Sequence, residues 1–290
     1  MHDGAKVRLK IRHVTYFDYE SPVTQAHSEI RKTPCDTTLQ KVISSDVRVN
    51  TKVAGNLSWH LDHFGNRVHH FNLLVPHDRV EVIAESVVET TNAPYAGQPT
   101  PDPRPCTARW AEFVAWSPGV PKLDEYVQVP HRVALDLTPD DFTCALVELA
   151  GYFFETFRYD PDATHVHSSP KALFDHGGGV CQDMAHAMIG VLRLADVPAR
   201  YVSGYIFDPK SDEEGQHLRG AQATHAWVQV WHPQMGWVGI DPTNNKVADW
   251  QYILMAVGRD YFDVQPVRGV FWGAGEQTLS VSVTVAHEVT

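Results

Sequence analysis

A cysteine stands directly after a run of three glycines, where helical periodicity begins. The segment reads GGGVCQDMAH over residues 177–186, and helical spacing places Cys181 in the first turn of the helix. The unpaired N–H groups and the positive dipole end of a first turn favour a thiolate, the form of sulfur that attacks carbonyl carbons. The same N–H groups can hold the oxyanion that forms after the attack. Cys181 is therefore a candidate nucleophile, although a free cysteine is more often a small core residue.

A histidine and an aspartate lie on the two strands of one predicted hairpin. His225 opens an alternating run, Asp241 ends the next run, and a tight turn lies between them. A turn centred between Pro233 and Gln234 places His225 opposite position 242, give or take one, and this window includes Asp241. Together with Cys181 they form a set of nucleophile, base and orienting carboxylate. The competing interpretation is a strand histidine with satisfied hydrogen bonds and an Asp-Pro turn.

The other three cysteines have no comparable setting. Cys144 lies in the middle of a predicted helix among apolar residues, so core packing explains it. Cys35 and Cys106 lie in predicted loops without a base nearby. Four widely spaced cysteines are expected to stay thiols in a reducing compartment.

The acidic composition argues against several classes of partner. The formal net charge is −11, so this surface would repel a nucleic-acid backbone or an anionic membrane. No apolar run reaches the length of about 18 residues that a membrane helix needs. The first residues lack the basic and apolar regions of a signal peptide. We therefore expect a cytoplasmic protein with no nucleic-acid or membrane partner.

Histidine is plentiful, with 17 residues, which raises the question of a metal. The two densest clusters are His69-His70 and His165-x-His167, and neither has the cysteine or carboxylate spacing of a closed zinc site. The sequence contains no H-E-x-x-H motif. We expect no metal and no other cofactor.

The chain is long enough for two domains, each able to bury a core. Residues 6–90 contain short alternating runs separated by turns, which predicts an antiparallel β-sandwich domain over residues 1–91. Five prolines and one glycine between Asn92 and Pro105 predict an exposed linker over residues 92–108. In residues 109–290 helices come first and strands follow, an order that is typical of an α+β domain.

Four segments around the three candidate residues resemble the bacterial transglutaminase-like family, whose members are also described as cysteine proteases. These segments are GVCQD at 179–183, PARYVSGY at 198–205, THAW at 224–227 and DPTN at 241–244. The family has the same order of Cys, His and Asp, and its papain-like fold packs the cysteine's helix on an antiparallel sheet. Residues 19–23 and 64–66 resemble the β-sandwich that precedes this core, and residues 258–264 and 266–269 also fit the family.

The resemblance implies a cysteine-dependent enzyme that processes peptide or protein amides through a thioester, with Cys181, His225 and Asp241 as its triad. We favour hydrolysis over transfer to an amine, because water is everywhere in a cytoplasm. A transglutaminase, a catalytically silent scaffold of the same fold and a metallohydrolase are the alternatives. Gln182 and Tyr159 are candidates for the second oxyanion donor.

Overall fold

The structure is a computed structural model that describes residues 6–50, 57–91, 110–209, 218–221 and 223–288. The predicted linker, 92–108, lies outside the described residues. The fold is α+β, as predicted, with a β-sandwich beside a five-stranded antiparallel sheet that helices cover. None of the helices within these ranges is long and apolar enough to cross a membrane.

The described residues up to 91 form six strands, as their alternating pattern predicts. They are β1 (Lys6–Val23), β2 (Gln25–Ile30), β3 (Gln40–Asn50), β4 (Ser58–Leu61), β5 (Arg67–Leu73) and β6 (His77–Thr91). One sheet contains β1, β6 and β3, and a second contains β2, β5 and β4. Apolar side chains of both sheets, among them Phe17, Phe71 and Val82, meet in one core.

The next part of the chain is the mixed region that carries the candidate residues. Its helices are α1 (Ala111–Val114), α2 (Pro139–Thr156), α3 (Lys171–His176), α4 (Cys181–Leu194) and α5 (Tyr261–Val264), with a 3-10 turn at Asp124–Gln128. Its strands are β7 (Arg158–Tyr159), β8 (Gly178–Gly179), β9 (Ala199–Ile206), β10 (His225–His232), β11 (Gly236–Asp241), β12 (Lys246–Val247) and β13 (Tyr252–Gly258). The sheet order is β12-β11-β10-β9-β13, and α4 packs on β9 and β10. A helix that begins at Cys181 thus lies on the sheet that carries His225 and Asp241, as predicted.

The last two strands return to the sandwich. β14 (Val267–Trp272) pairs antiparallel with β2, and β15 (Gln277–His287) pairs antiparallel with β1. Their pairing therefore joins residues 267–287 to the N-terminal sheets, whereas the sequence analysis placed them in the region 109–290. Hydrogen bonds between strands so far apart in sequence leave no local signal, since the alternating pattern shows only that a strand forms.

Side-chain amides from the first region hold the edge of β13. Since β13 is the last strand of its sheet, its outer N–H and C=O groups need other partners. The Gln40 amide accepts from the Leu254 N–H and donates to the Leu254 carbonyl, both at 2.9 Å. The Asn66 amide binds the N–H and the carbonyl of Val257 in the same way, both at 2.8 Å. Each amide imitates a neighbouring strand and fixes the sandwich to the sheet of the candidate site.

A buried polar chain lies in the same interface. The Tyr205 hydroxyl is 2.6 Å from His13 Nδ1, His13 Nε2 is 3.1 Å from Thr15 Oγ1, and Lys32 donates to Thr15. Burial and the charge of Lys32 lower the pKa of His13 to about 2, so the imidazole stays neutral. Burial also lowers the pKa of Lys32 to about 7.

Candidate active site

The start of α4 is shaped by an aspartate in its first turn. Asp183 Oδ2 accepts a hydrogen bond from the backbone N–H of Val180 at 2.9 Å and another from the Thr164 hydroxyl at 2.5 Å. A side chain at Gly179 would not fit, because its Cβ would lie 2.7 Å from the same oxygen. The close approach that the carboxylate needs therefore explains this glycine. The result is a fixed helix start with Cys181 as its first residue.

Cys181 is half-buried at this helix start. The side chain packs against the apolar core that α4 shares with β9 and β10. The following residues of α4 are buried from Gln182 to Arg193, so the helix is anchored along its length. The thiol is consequently held at the tip of a rigid element and is partly accessible.

His225 and Asp241 form a completely buried pair. His225 Nε2 lies 2.9 Å from Asp241 Oδ2, and neither side chain has any exposed surface. This is the hydrogen bond that the hairpin predicts. The register differs from the prediction by one residue, since His232 pairs with Gly236 and Val228 with Ile240.

The turn explains the difference in register. The connection has three residues, 233–235, and is followed directly by Gly236, whose φ of +74° lies in the left-handed region. Continued along the strands, this register places His225 opposite Thr243. Asp241 is two residues from Thr243 and therefore points to the same face as His225.

Five hydrogen bonds converge on the Asp241 carboxylate. Oδ2 accepts from His225 Nε2 at 2.9 Å, from the Asn244 amide at 2.7 Å and from the Tyr252 hydroxyl at 2.8 Å. Oδ1 accepts from the backbone N–H groups of Thr243 at 2.8 Å and Asn244 at 3.3 Å. A buried carboxylate needs such partners to remain ionised.

These contacts raise the pKa of His225 and lower the pKa of Asp241. Burial alone would lower the pKa of His225, but the charges of Asp241 and Cys181 and the hydrogen bonds to both raise it to about 10. Burial alone would raise the pKa of Asp241, but the charge of His225 and the hydrogen bonds from His225, Asn244 and Tyr252 hold it below its usual value. The pair is therefore an imidazolium and a carboxylate at neutral pH.

The second ring nitrogen of His225, Nδ1, is buried and has no hydrogen-bond partner among the described residues. Cys181 is near enough for its charge to help raise the pKa of His225. Gly220 lies against the same nitrogen, because a Cβ built on it would be 2.4 Å from Nδ1. The φ of Gly220 is +82°, a value that other residues rarely adopt. The backbone at Gly220 thus forms a wall beside the imidazole.

Asn244 connects this wall to the aspartate. Its Oδ1 accepts from the Arg219 N–H at 2.9 Å, and its Nδ2 donates to the Arg219 carbonyl at 3.2 Å as well as to Asp241. One side-chain amide therefore fixes the position of the Arg219–Gly220 backbone relative to Asp241.

The two candidate oxyanion donors have different surroundings. The side-chain amide of Gln182 donates to the Val166 carbonyl at 2.9 Å, so that amide is already engaged. Tyr159 lies in β7 opposite Gly179, two residues before Cys181. Burial and the charge of Cys181 raise the pKa of Tyr159 to about 12, so the phenol keeps its proton and can donate a hydrogen bond.

Sequence reasoning assigned no role to four residues that shape the site. Asn244 and Asp183 belong to quoted motifs, and Asp183 could have been found from its place in the first turn of the helix, where a carboxylate can accept from the residue before the helix. Tyr252 and Gly220 carry no local signal, because both reach the site through tertiary folding. Cys144 is a correction, since it is exposed on α2 and core packing does not explain it.

The His69-His70 cluster lies on the sandwich, whereas His165 and His167 flank Val166, whose carbonyl accepts from Gln182. His70 Nε2 is 2.6 Å from His60 Nδ1 on the sandwich, and the ring of His167 stacks on Phe262. No group of three or more His, Cys, Asp or Glu side chains within the described ranges is arranged to hold a metal ion. The expectation of a metal-free protein stays a prediction.

Comparison with known proteins identifies the family. Residues 131–242 match the transglutaminase-like superfamily, and residues 9–89 match the bacterial transglutaminase-like N-terminal region. An uncharacterised protein of Mycobacterium leprae is 34% identical to this chain, and the match covers 97% of this chain and 99% of the relative. The chain therefore belongs to the transglutaminase-like superfamily and carries the bacterial N-terminal region.

Two further proteins resemble this chain, one in its fold and one over part of its sequence. A Cytophaga hutchinsonii protein whose name suggests a cysteine protease superposes with a TM-score of 0.72, over 99% of this chain and 92% of its own, at 17% identity. This likeness shows the fold alone. A protein-glutamine gamma-glutamyltransferase of Pseudomonas aeruginosa is 36% identical over 106 residues, which are 36% of this chain and 16% of that protein.

Proposed function

We propose that this chain is a cysteine-dependent enzyme that processes peptide or protein amides through a thioester. Cys181 is the nucleophile, His225 the general base and acid, and Asp241 the orienting carboxylate. The observation that carries the proposal is the buried contact of 2.9 Å between His225 and Asp241, on the sheet against which the Cys181 helix packs. Membership of the transglutaminase-like superfamily supports the same chemistry.

The resting charges favour nucleophilic attack. With its pKa at about 10, His225 is protonated at neutral pH, and Cys181 is close enough for its charge to contribute to this shift. A cationic imidazole and the positive end of α4 both stabilise a thiolate. Asp241 stabilises the imidazolium and fixes the orientation of the ring through Nε2.

Attack of the thiolate on an amide carbonyl forms a carbon–sulfur bond and an oxyanion. The N–H groups at the first positions of a helix have no acceptor within the helix, so those of Cys181 and Gln182 can donate to this oxygen. The Tyr159 phenol is the second donor that we favour, since the side chain of Gln182 is held by Val166. Collapse of the intermediate breaks the carbon–nitrogen bond, and the leaving amine takes a proton from His225.

The thioester is then resolved by a second nucleophile. His225, now neutral, removes a proton from water or from a primary amine as it attacks, and the Cys181 thiolate leaves. Water gives a carboxylic acid, and an amine gives a new amide. We propose hydrolysis as the main reaction, because water needs no binding site of its own.

Acyl transfer is the second candidate. It is favoured by the 36% identity with the Pseudomonas aeruginosa protein-glutamine gamma-glutamyltransferase over 106 residues. Both reactions share the thioester and the three residues, and they differ only in what resolves the acyl-enzyme.

One experiment separates the two reactions. The purified chain is incubated with a library of peptides and isopeptides, with and without a fluorescent primary amine, and the products are identified by mass spectrometry. Hydrolysis predicts cleaved or deamidated products that form at the same rate in both conditions. Transfer predicts amine-labelled products at the expense of the hydrolysed ones. The absence of turnover in both arms, together with an unreactive Cys181, would contradict the proposed function and favour a scaffold.

A further inference from the structure

The two outer strands of one sandwich sheet differ sharply in their sequences. The sheet order is β15-β1-β6-β3, so β3 and β15 form its two edges. β3 carries Lys41, Asp46 and Arg48, and its pairing with β6 is interrupted by a bulge between Val42 and Ser44. Charges and bulges are the devices that keep an edge strand from pairing with another chain. The β3 edge is protected in this way.

The β15 edge has no such protection. From Gln277 to His287 it contains no Asp, Glu, Lys, Arg or Pro, and its eleven residues pair with β1 without a break in register. Within the described ranges its other side has no strand partner. Leu279 is 55% exposed and Val281 is 48% exposed, so apolar surface reaches the open edge.

The hydrogen bonds to β1 show which backbone groups are free. The Glu288 N–H donates to the Arg8 carbonyl, and the Glu20 N–H donates to the Glu276 carbonyl. Glu276 and Glu288 therefore turn their N–H and C=O groups toward β1, and so do the even-numbered residues between them, because these groups alternate along an antiparallel strand. The odd-numbered residues from Gln277 to His287 turn theirs outward.

The side chains of β15 are self-complementary about Ser282. In an antiparallel pair of two copies centred there, Val281 meets Val283 and Leu279 meets Val285, so apolar residues face each other. Ser280 meets Thr284 on the other face. These facing apolar residues are odd-numbered, and the odd-numbered residues are the ones whose N–H and C=O groups point outward. In this register they therefore form the hydrogen-bonded pairs between the two copies. From Gln277 to His287 the strand is uncharged, so like charges face each other in this register only at its two ends, where Glu276 of one copy lies opposite Glu288 of the other.

From these observations we propose that β15 is a self-association surface, through which two copies of this chain pair antiparallel about a two-fold axis at Ser282. The pairing joins two four-stranded sheets into one of eight strands. Such an interface is isologous, so it closes at the dimer. It lies on the sandwich and involves none of the residues of the proposed active site.

The first test is the oligomeric state of the full chain, measured by sedimentation across a wide range of concentrations. We expect a reversible monomer–dimer equilibrium. The double variant Leu279→Lys/Val281→Lys places like charges at the centre of the interface and is expected to be monomeric. Ile43→Lys on the protected β3 edge is the matched control and should dimerise like the wild type. Circular dichroism and thermal melting show that each variant is folded.

The second test is a geometric one that does not depend on a destabilising change. Across the two-fold axis the two Ser282 residues form a non-hydrogen-bonded pair, with Cα atoms about 4.5 Å apart, a distance within the disulfide range. Ser282→Cys is therefore expected to give a dimer linked by a disulfide between the two Cys side chains, identified by peptide mapping. Ser280→Cys is the control, because its two copies would lie about 13 Å apart, four residues along the strands.

Three results would overturn the proposal. One is a wild type that stays monomeric at all concentrations, with no Ser282→Cys cross-link. Another is a dimer that persists in the Leu279→Lys/Val281→Lys variant, since a different surface would then hold it. The third is equal cross-linking by Ser280→Cys and Ser282→Cys, which would exclude the register. If dimerisation follows the predictions while the amide-processing assay fails, only the proposed function falls.

Discussion

The hydroxyl of Tyr252 offers a sharp perturbation of the proposed triad. Tyr252→Phe removes one oxygen and with it the hydrogen bond of 2.8 Å to Asp241 Oδ2. The ring can stay in place, because it packs against Trp227 with ring centroids 5.3 Å apart. Asp241 keeps its four other hydrogen bonds, so the variant should fold and should be weakened rather than inactive.

The size of the effect follows from the charge on the acceptor. A hydrogen bond to a charged group contributes about 1.5–3 kcal/mol. If this loss is felt fully in the transition state, the rate falls by about 10- to 150-fold, since each 1.4 kcal/mol is about a factor of ten. We expect the loss mainly in kcat, because Tyr252 positions Asp241 and does not touch substrate.

The pH dependence gives a second signature. The pKa of Asp241 is held below its usual value, so the stability that it contributes is present at neutral pH and is lost as the pH falls through the folded-state pKa. Removing a donor raises that pKa, so the acidic limb of the activity profile should move to higher pH in Tyr252→Phe. A merely structural loss would lower activity at every pH without moving the limb.

Tyr205→Phe is the matched control for this variant. Tyr205 is also a buried tyrosine of the same sheet, and its hydroxyl contacts the neutral His13 in the interface with the sandwich. Its loss should lower the melting temperature and leave kcat and the acidic limb unchanged. Wild-type kinetics and an unmoved acidic limb in Tyr252→Phe would refute the role assigned to the Asp241 hydrogen bonds.

Four further variants test the remaining parts of the site. Cys181→Ala should abolish turnover and leave the melting temperature nearly unchanged, because it removes one half-buried sulfur at a helix start; retained turnover would exclude this nucleophile. Asp241→Asn should lose less activity than His225→Ala, since the imidazole moves the proton and the carboxylate orients it; the reverse order in steady-state assays would contradict this. Gly220→Ala should reduce activity strongly in a protein that still folds, because the new methyl group would lie 2.4 Å from His225 Nδ1 on a residue with a φ of +82°. Wild-type kinetics in Gly220→Ala would show that the backbone at position 220 can shift away from His225, which would contradict its assigned role.

Local patterns in the sequence were sufficient to predict the elements that carry the three central residues. The glycines and the following periodicity predicted a helix start at Cys181, and alternation predicted the hairpin of His225 and Asp241. The predicted register was one residue off, because the loop has three residues and not the two residues of a tight turn. His225 and Asp241 still share one face of the sheet, because Asp241 lies two residues from Thr243, the position opposite His225.

What the sequence could not predict comes from contacts between distant segments. Tyr252 reaches Asp241 although β13 lies at the far side of β9 from the hairpin, an order that only the folded sheet reveals. The return of β14 and β15 to the sandwich is equally non-local. The prediction for Cys144 was wrong because this residue lies on the exposed side of α2, although its neighbours Ala145 and Leu146 are buried.

The central claim is that His225 activates Cys181, and the rate of thiol alkylation tests it most directly. The native chain is treated with iodoacetamide across a range of pH, and the labelling of each cysteine is followed by mass spectrometry. Cys144 serves as the internal control, because it is an exposed thiol on α2, outside the candidate site. We predict that Cys181 is alkylated faster than Cys144 at neutral and mildly acidic pH, and that His225→Ala removes this advantage. Equal rates at the two cysteines in the wild type, or an unchanged Cys181 rate in His225→Ala, would contradict the account.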